Sequence, residues 1–208
     1  MGSTEELGTK GGKGVKGVDV STLTSEASFR KMASQGVKFA IVRGYKSTGE
    51  VDPHVEATVA NAWAAGMKHV DVYAFPRFSK GDGAGQVKAL VQALKKTRYG
   101  MVWLDVEGPG AHWGSSQSAN AAFFADWVHG AKGLGVNLGI YTSKSQWHPI
   151  MGSYTGGSSF PLWYTHYDGK QSFSDFSPFG GWTKPNIKQY AGDVELGGAS
   201  VDLNWYPS

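Results

Sequence analysis

Cysteine is absent from this chain of 208 residues. That excludes disulfide staples, thiolate zinc sites, iron–sulfur clusters and a cysteine nucleophile. It leaves the compartment open, because secreted chains can also lack disulfides. No apolar run approaches the roughly 20 residues that a membrane-spanning helix needs, so no membrane partner is expected. Neither sign of charge dominates: 20 Lys and Arg against 17 Asp and Glu leave a formal net charge of +3. Without a Lys/Arg cluster a nucleic-acid partner is not expected, although mild attraction to a polyanionic surface is compatible with that charge. The six His form no HxxxH or HxH pair, so neither a metal site nor a cofactor is expected. GxSxG is missing, which removes sequence support for a serine hydrolase. No Asn-x-Ser/Thr sequon is present, so N-glycosylation is not expected. Residues 1–15 are rich in Gly, Lys and Ser and lack the apolar core of a signal peptide. They read as a flexible leader, or a remnant standing where a signal was removed, and residues 16–208 read as a single domain.

Aromatic residues are plentiful, with eight Trp, nine Tyr and ten Phe. Strands and helices alternate along the chain. Strand patterns occur at 17–21, 37–45, 69–75, 101–105 and 136–141. Helices are expected at 25–35, from Asp52-Pro53 to about Ala65, at 84–97, and from Ser115 or Ser116 to Lys132. After residue 142 the chain turns Gly-, Ser- and Pro-rich. Short strand candidates remain at 161–165, 186–191 and 200–203, with no long helix between them.

Five such alternations argue for a parallel sheet or barrel of the α/β class. An open doubly wound sheet would favour a glycine-rich phosphate turn after the first strand. That strand ends Asp19-Val20-Ser21, and neither GxGxxG nor GxxxxGK[ST] follows it. In a barrel the site forms at the C-terminal ends of the strands. Those ends carry Asp19, Arg43, Tyr45, Tyr73, Phe75, Asp105, Glu107, Tyr141, Trp163, Tyr164, Gln189, Tyr190 and Asp202. Acids with aromatics suit glycoside hydrolysis, in which carboxylates transfer the proton and aromatic faces pack against sugars.

The stretch Met101-Val102-Trp103-Leu104-Asp105-Val106-Glu107-Gly108 is the most pointed signal. An apolar run reads as a buried strand, and residues i and i+2 of a strand share a face. Asp105 and Glu107 would then lie about 6.6 Å apart at Cα. Close carboxylates push their titrations apart, which yields an acid and an anionic partner from one residue class. The plainer alternative is a strand ending in a polar turn, with Asp105 capping nearby backbone.

GVDVS at 17–21, FAIVRGY at 39–45, DVYAFP at 71–76, VWLDVEGP at 102–109, LGIYTS at 138–143, PLWYTHYD at 161–168, KQYAGD at 188–193 and VDLNWYP at 201–207 occur in that order. Together with SFSDFSPFGGW at 172–182, these segments resemble the family-25 glycoside hydrolase lysozymes of invertebrates and amoebae. The resemblance covers nearly all of residues 16–208. It implies an irregular TIM-like β/α barrel, with five βα units followed mostly by strands. It also implies an N-acetylmuramidase cutting the β-1,4 bond between N-acetylmuramic acid and N-acetylglucosamine in bacterial peptidoglycan. The family's acidic cluster maps onto Asp19, Asp105, Glu107 and Asp202. By the same resemblance Glu107 is the general acid/base, Asp105 stabilises developing charge or steadies a substrate acetamido group, and Asp19 and Asp202 tune the pair. Tyr73 matches a site tyrosine. Tyr141, Trp163, Gln189 and Arg43 are candidates to line the cleft and touch substrate. His112 and Trp113, on a loop just beyond Glu107, are weaker candidates for substrate contact.

Relatives of this branch usually carry cysteines, which this chain lacks; the expected places are the 77–83 loop and Glu195-Leu196-Gly197-Gly198. Two other functions fit the residues: hydrolysis of a chitin-type glycan, and a non-catalytic sugar-binding or signalling protein. A monomer acting in an extracellular or lysosomal/phagosomal compartment is expected from the substrate. The retaining, inverting or substrate-assisted course stays open.

Overall fold

The computed structural model describes residues 14–208. The expected leader falls outside the described residues except at its end, where Gly14 and Val15 already belong to the first strand. In chain order the elements are β1 (Gly14–Val20), α1 (Glu26–Ser34), β2 (Val37–Lys46), β3 (Glu50–Val51), α2 (Val55–Ala64), β4 (His69–Ala74) and α3 (Gly83–Ala93). They continue as β5 (Val102–Asp105), α4 (Gln117–Gly133), β6 (Leu138–Thr142), α5 (Lys144–Met151), β7 (Leu162–Thr165), β8 (Ile187–Leu196) and β9 (Ala199–Pro207). The helices start where the sequence offers hydroxyl caps. Ser25 accepts from the Ser28 amide at 3.1 Å and Ser116 from the Ala119 amide at 3.2 Å, each worth about 1 kcal/mol.

Eight strands close into a barrel in the order β1-β2-β4-β5-β6-β7-β8-β9, with β9 returning to β1. The short β3 is a hairpin appended to β2. Neighbours from β1 round to β8 are parallel. β9 alone runs antiparallel to both of its neighbours. Five βα units followed by strands is the architecture expected from the sequence.

Side chains alternate across the barrel wall, as strand geometry demands. Val70, Val72 and Ala74 of β4 pack outward under the helices. Tyr73 joins the interior cluster of Phe39, Ile41, Trp103, Tyr141, Trp163 and Ile187. Two buried indoles fill the barrel, with ring centres 5.9 Å apart, and each N–H finds a partner. Trp103 Nε1 donates to Asp71 Oδ2 at 2.9 Å, and Trp163 Nε1 to Asn204 Oδ1 at 2.7 Å. Asp71 also accepts from the Met101 amide at 2.7 Å.

Several elements differ from expectation. Helix α2 begins at Val55, because Asp52 accepts from the His54 amide in a turn and pairs with Arg43. Helix α5 was not placed by the sequence pattern. Pro149 sits inside it, where a residue without an N–H ordinarily breaks the ladder. Strands β8 and β9 are longer than 186–191 and 200–203, and they join at Gly197-Gly198. Both glycines have positive φ, +61° and +82°, which suits a two-residue hairpin turn.

Gly139 pairs in register with Trp103 and leaves room for its ring: a Cβ at 139 would lie 2.4 Å from Trp103 Cε3. Gly139→Ala is therefore expected to destabilise the barrel by about 1–3 kcal/mol. Equilibrium denaturation checks this, and unchanged stability would show that the interior yields more easily than its packing implies.

Candidate active site

The strand ends open into a cleft of about 280 Å³. Nine of the residues singled out from the sequence line it: Asp19, Arg43, Tyr73, Asp105, Glu107, Tyr141, Trp163, Gln189 and Asp202. Asp19 is the penultimate residue of β1, in its buried half, and Asp105 is the last residue of β5. Asp202 arrives by a different route. It stands near the beginning of β9, and because β9 is antiparallel that beginning lies at the same mouth. Asp202 is in register with Asp19.

Asp19 is buried, and its Oδ2 accepts from Gln189 Nε2 and Asn204 Nδ2, each at 2.8 Å. Asp202 Oδ2 accepts from the same Gln189 amide at 3.3 Å, and its Oδ1 from the Asp193 backbone at 3.0 Å. Gln189 Oε1 accepts from the phenols of Tyr141 at 2.7 Å and Tyr167 at 3.0 Å. Its orientation follows from the partners: the two phenols donate to the amide oxygen, which leaves the amide N–H groups for the two carboxyls. The side chain's hydrogen-bonding capacity is used within the protein.

Asp105 is 2% exposed, and its Oδ1 has no hydrogen-bond partner among the described residues. Burial pushes its carboxyl well above the usual range, and the neighbouring Glu107 pushes further. Asp19 is raised too, first by burial and next by the charge of Asp202, with the Asn204 and Gln189 bonds opposing. Burial likewise raises the Tyr73 and Tyr141 phenols, so both remain O–H donors.

Glu107 lies beyond β5 and is partly exposed. Its backbone is held on both sides by the β6–α5 segment. Thr142 Oγ1 donates to the Val106 carbonyl at 2.7 Å, and the Gly108 amide donates to Gln146 Oε1 at 2.8 Å. The Val106 amide donates to the Tyr141 carbonyl at 2.8 Å, continuing the ladder past the strand end. Gly108 turns the chain away at φ +79°.

Several expectations are adjusted. Arg43 lines the cleft, but its Nε donates to Asp52 at 2.9 Å rather than to a cluster acid. Trp163 is the floor, 2% exposed, with its ring centre 4.4 Å from that of Tyr141. Trp113 is core, packed against Phe78 and Phe123. His112 is exposed and sets its ring edge against the cleft residue Phe75. The sequence reading missed Ser21, Tyr167 and Asp193 in the lining, and Asn204, Thr142 and Gln146 behind it. Tyr167 and Asn204 had a signal available: each continues the period of two from Trp163 or Asp202.

Beside the cleft, ligand atoms of His166, Asp168 and Asp175 come together in a way that could hold a cation. A fully buried ammonium already stands there. Lys188 Nζ donates to Asp168 at 2.8 Å and Asp175 at 2.9 Å. Burial alone would raise Asp175, but bonds from Lys188, His166 and Tyr164 outweigh it and bring the carboxyl to about 2. This group pins the 166–176 loop to β8.

A closed β/α barrel with carboxylates gathered at its mouth is an arrangement suited to a glycoside hydrolase. The family model described as Lysozyme-like protein 1 matches residues 12–190. The probable GH family 25 lysozyme 2 of Dictyostelium discoideum is 54% identical over 93% of this chain and 91% of its own length. Lysozyme-like protein 5 of Caenorhabditis elegans is 39% identical over 92% and 91%. The family GH25 lysozyme from Aspergillus fumigatus shares the fold, with a TM-score of 0.77 at 21% identity over 94% of this chain and 95% of that one. The modular autolysin LytC of Streptococcus pneumoniae, solved with a synthetic peptidoglycan ligand, has a TM-score of 0.70 at 16% identity over 93% and 47%. The chain belongs to the family-25 glycoside hydrolase lysozymes.

A carboxyl raised in the folded state favours folding below its unfolded value, and that contribution disappears as pH climbs through the folded value. For Asp105 the site thus costs stability at neutral pH. Asp105→Asn is expected to melt higher than wild type at pH 7, by about 2–4 °C for each kcal/mol relieved, with the gap narrowing toward pH 4. A lower melting temperature at pH 7 would mean that the carboxylate is stabilised where it stands.

Proposed function

We propose that this lysozyme cleaves the β-1,4 bond between N-acetylmuramic acid and N-acetylglucosamine in bacterial peptidoglycan, with Glu107 as general acid/base. The observation that carries the reading is the pairing of a dry carboxyl with a wetter one at the end of β5. Glu107, partly exposed and fixed through Val106 and Gly108, is the group able to reach the glycosidic oxygen and give it a proton. Asp105, buried with an unpartnered Oδ1, faces the same cleft. It would stabilise the positive charge that develops at the anomeric carbon, or steady a 2-acetamido oxygen attacking it. Asp19 and Asp202, tied together through Gln189, keep negative potential across the cleft.

The relationship to named lysozymes supports the substrate class, and the LytC complex supports peptidoglycan as the polymer for this fold. A polymer of that kind implies work outside the cell or in a digestive compartment, in feeding on bacteria or defence against them. One chain supplies the whole cleft, which suits a monomer.

Clearing of bacterial wall suspensions, with mass spectrometry of the released ends, tests this. Wild type is expected to release muramic-acid reducing ends, and Glu107→Gln to lose activity by about 10²–10⁴-fold. Clearing by Glu107→Gln near the wild-type rate would remove Glu107 as the acid. Cleavage confined to N-acetylglucosamine polymers would reassign the enzyme to chitin-type glycans.

A further inference from the structure

Tyr167 is 58% exposed, and unlike the other large exposed hydrophobic side chains, Leu23 and Leu134, it lines the cleft. It is also held from several directions. Its hydroxyl donates to Gln189 Oε1 at 3.0 Å. The backbone around it is pinned to β8, with the His166 amide donating to the Gln189 carbonyl and the Gly169 amide to the Tyr190 carbonyl, each at 3.0 Å. Gly192 of β8 lies against the ring: a Cβ there would come within 2.6 Å of Tyr167 Cε2, 2.7 Å of Cζ and 2.8 Å of the hydroxyl. No backbone strain requires glycine at 192, since its φ is not positive. The space it leaves is space for the ring.

An apolar face left in water yet ordered on both its tip and its flank has already lost the freedom that binding would otherwise cost. We propose that Tyr167 is a preorganised platform for the C–H face of an N-acetylhexosamine ring of the glycan strand, and that Gly192 sets the platform's position. This rests on the peptidoglycan reading above and adds to it the residue that grips a sugar. The same side chain ties the sugar to the acids. Its hydroxyl shares Gln189 Oε1 with Tyr141, and the other end of that amide holds Asp19 and Asp202. The ring therefore serves binding, and the hydroxyl serves the position of the amide.

The two roles separate in three variants, Tyr167→Ala, Tyr167→Phe and Gly192→Ala. KM and kcat are measured on solubilised peptidoglycan strands, and affinity for uncut strands is measured in the Glu107→Gln background. Tyr167→Ala is expected to raise KM and weaken binding about tenfold, as loss of one aromatic contact does. Gly192→Ala, which displaces the ring and keeps its chemistry, should weaken binding in the same direction. Tyr167→Phe should hold affinity within about twofold while lowering kcat and changing the pH profile. If wild type is active and Tyr167→Ala binds strands as wild type does, the platform is overturned and the peptidoglycan reading stands. Wild type that neither cuts nor binds the strands would overturn both.

Discussion

In an all-parallel barrel every strand brings its last residues to the functional face. The family-25 chain departs from that rule at one strand, and its site depends on the departure. Because β9 runs antiparallel between β8 and β1, residues near its start reach the mouth. Asp202 then faces Asp19 in register, and Asn204, two residues deeper, bridges from Asp19 to the indole of Trp163. A parallel β9 would put these side chains at the other end of the barrel. The closing hairpin at Gly197-Gly198 is what sets this direction, so a two-residue turn outside the cleft lining determines the composition of the acid cluster.

Gathering carboxylates in a partly dry cleft works against folding. Like charges and desolvation both favour protonation, as seen at Asp19 and Asp105. The two are treated differently. Asp19 receives two amide N–H groups, from Gln189 and Asn204. Asp105 Oδ1 receives none among the described residues. A fully compensated Asp105 would be stabler and less reactive, since an anion already saturated with donors has little left to offer a developing cation. The uncompensated carboxyl is the kind of local cost that functional sites carry and that stabilising substitutions remove.

The period-two strands and capped helices made the first four βα units legible, because burial on alternating faces and N-terminal hydroxyls act locally. The LDVE segment likewise exposed its paired acids through simple strand geometry. Asp202 was found for a different reason from the one the structure supplies: it was read as a strand end, whereas it lies near a strand start. Strand direction is a long-range property that no local pattern records. Helix α5 was hidden by Pro149, whose penalty is outweighed by the packing of Trp147, Ile150 and Met151 into the core. Trp113 was misplaced because proximity in sequence to Glu107 says nothing about which way a loop turns after Gly108. The supporting residues Thr142 and Gln146 were invisible for a related reason, since their partners are backbone atoms some 36 and 38 positions away.

Rigidity is distributed unevenly around the cleft, and the distribution matches the division of chemical labour. The floor is fixed by buried aromatic contacts among Trp103, Tyr141 and Trp163, by the bonds that occupy both ends of the Gln189 amide, and by the bond from Trp163 to Asn204. Glu107 is partly exposed. It stands past the end of its strand, where only the peptide groups on either side are tied down, by Thr142 and Gln146. That arrangement fixes where the side chain starts, and the carboxyl itself stands beside that of Asp105. On the proposed assignment, a group that delivers a proton to the leaving oxygen and later takes one from water is served by a fixed origin and contact with solvent. Asp105, which on the same assignment opposes positive charge, is served better by being held still in a dry wall.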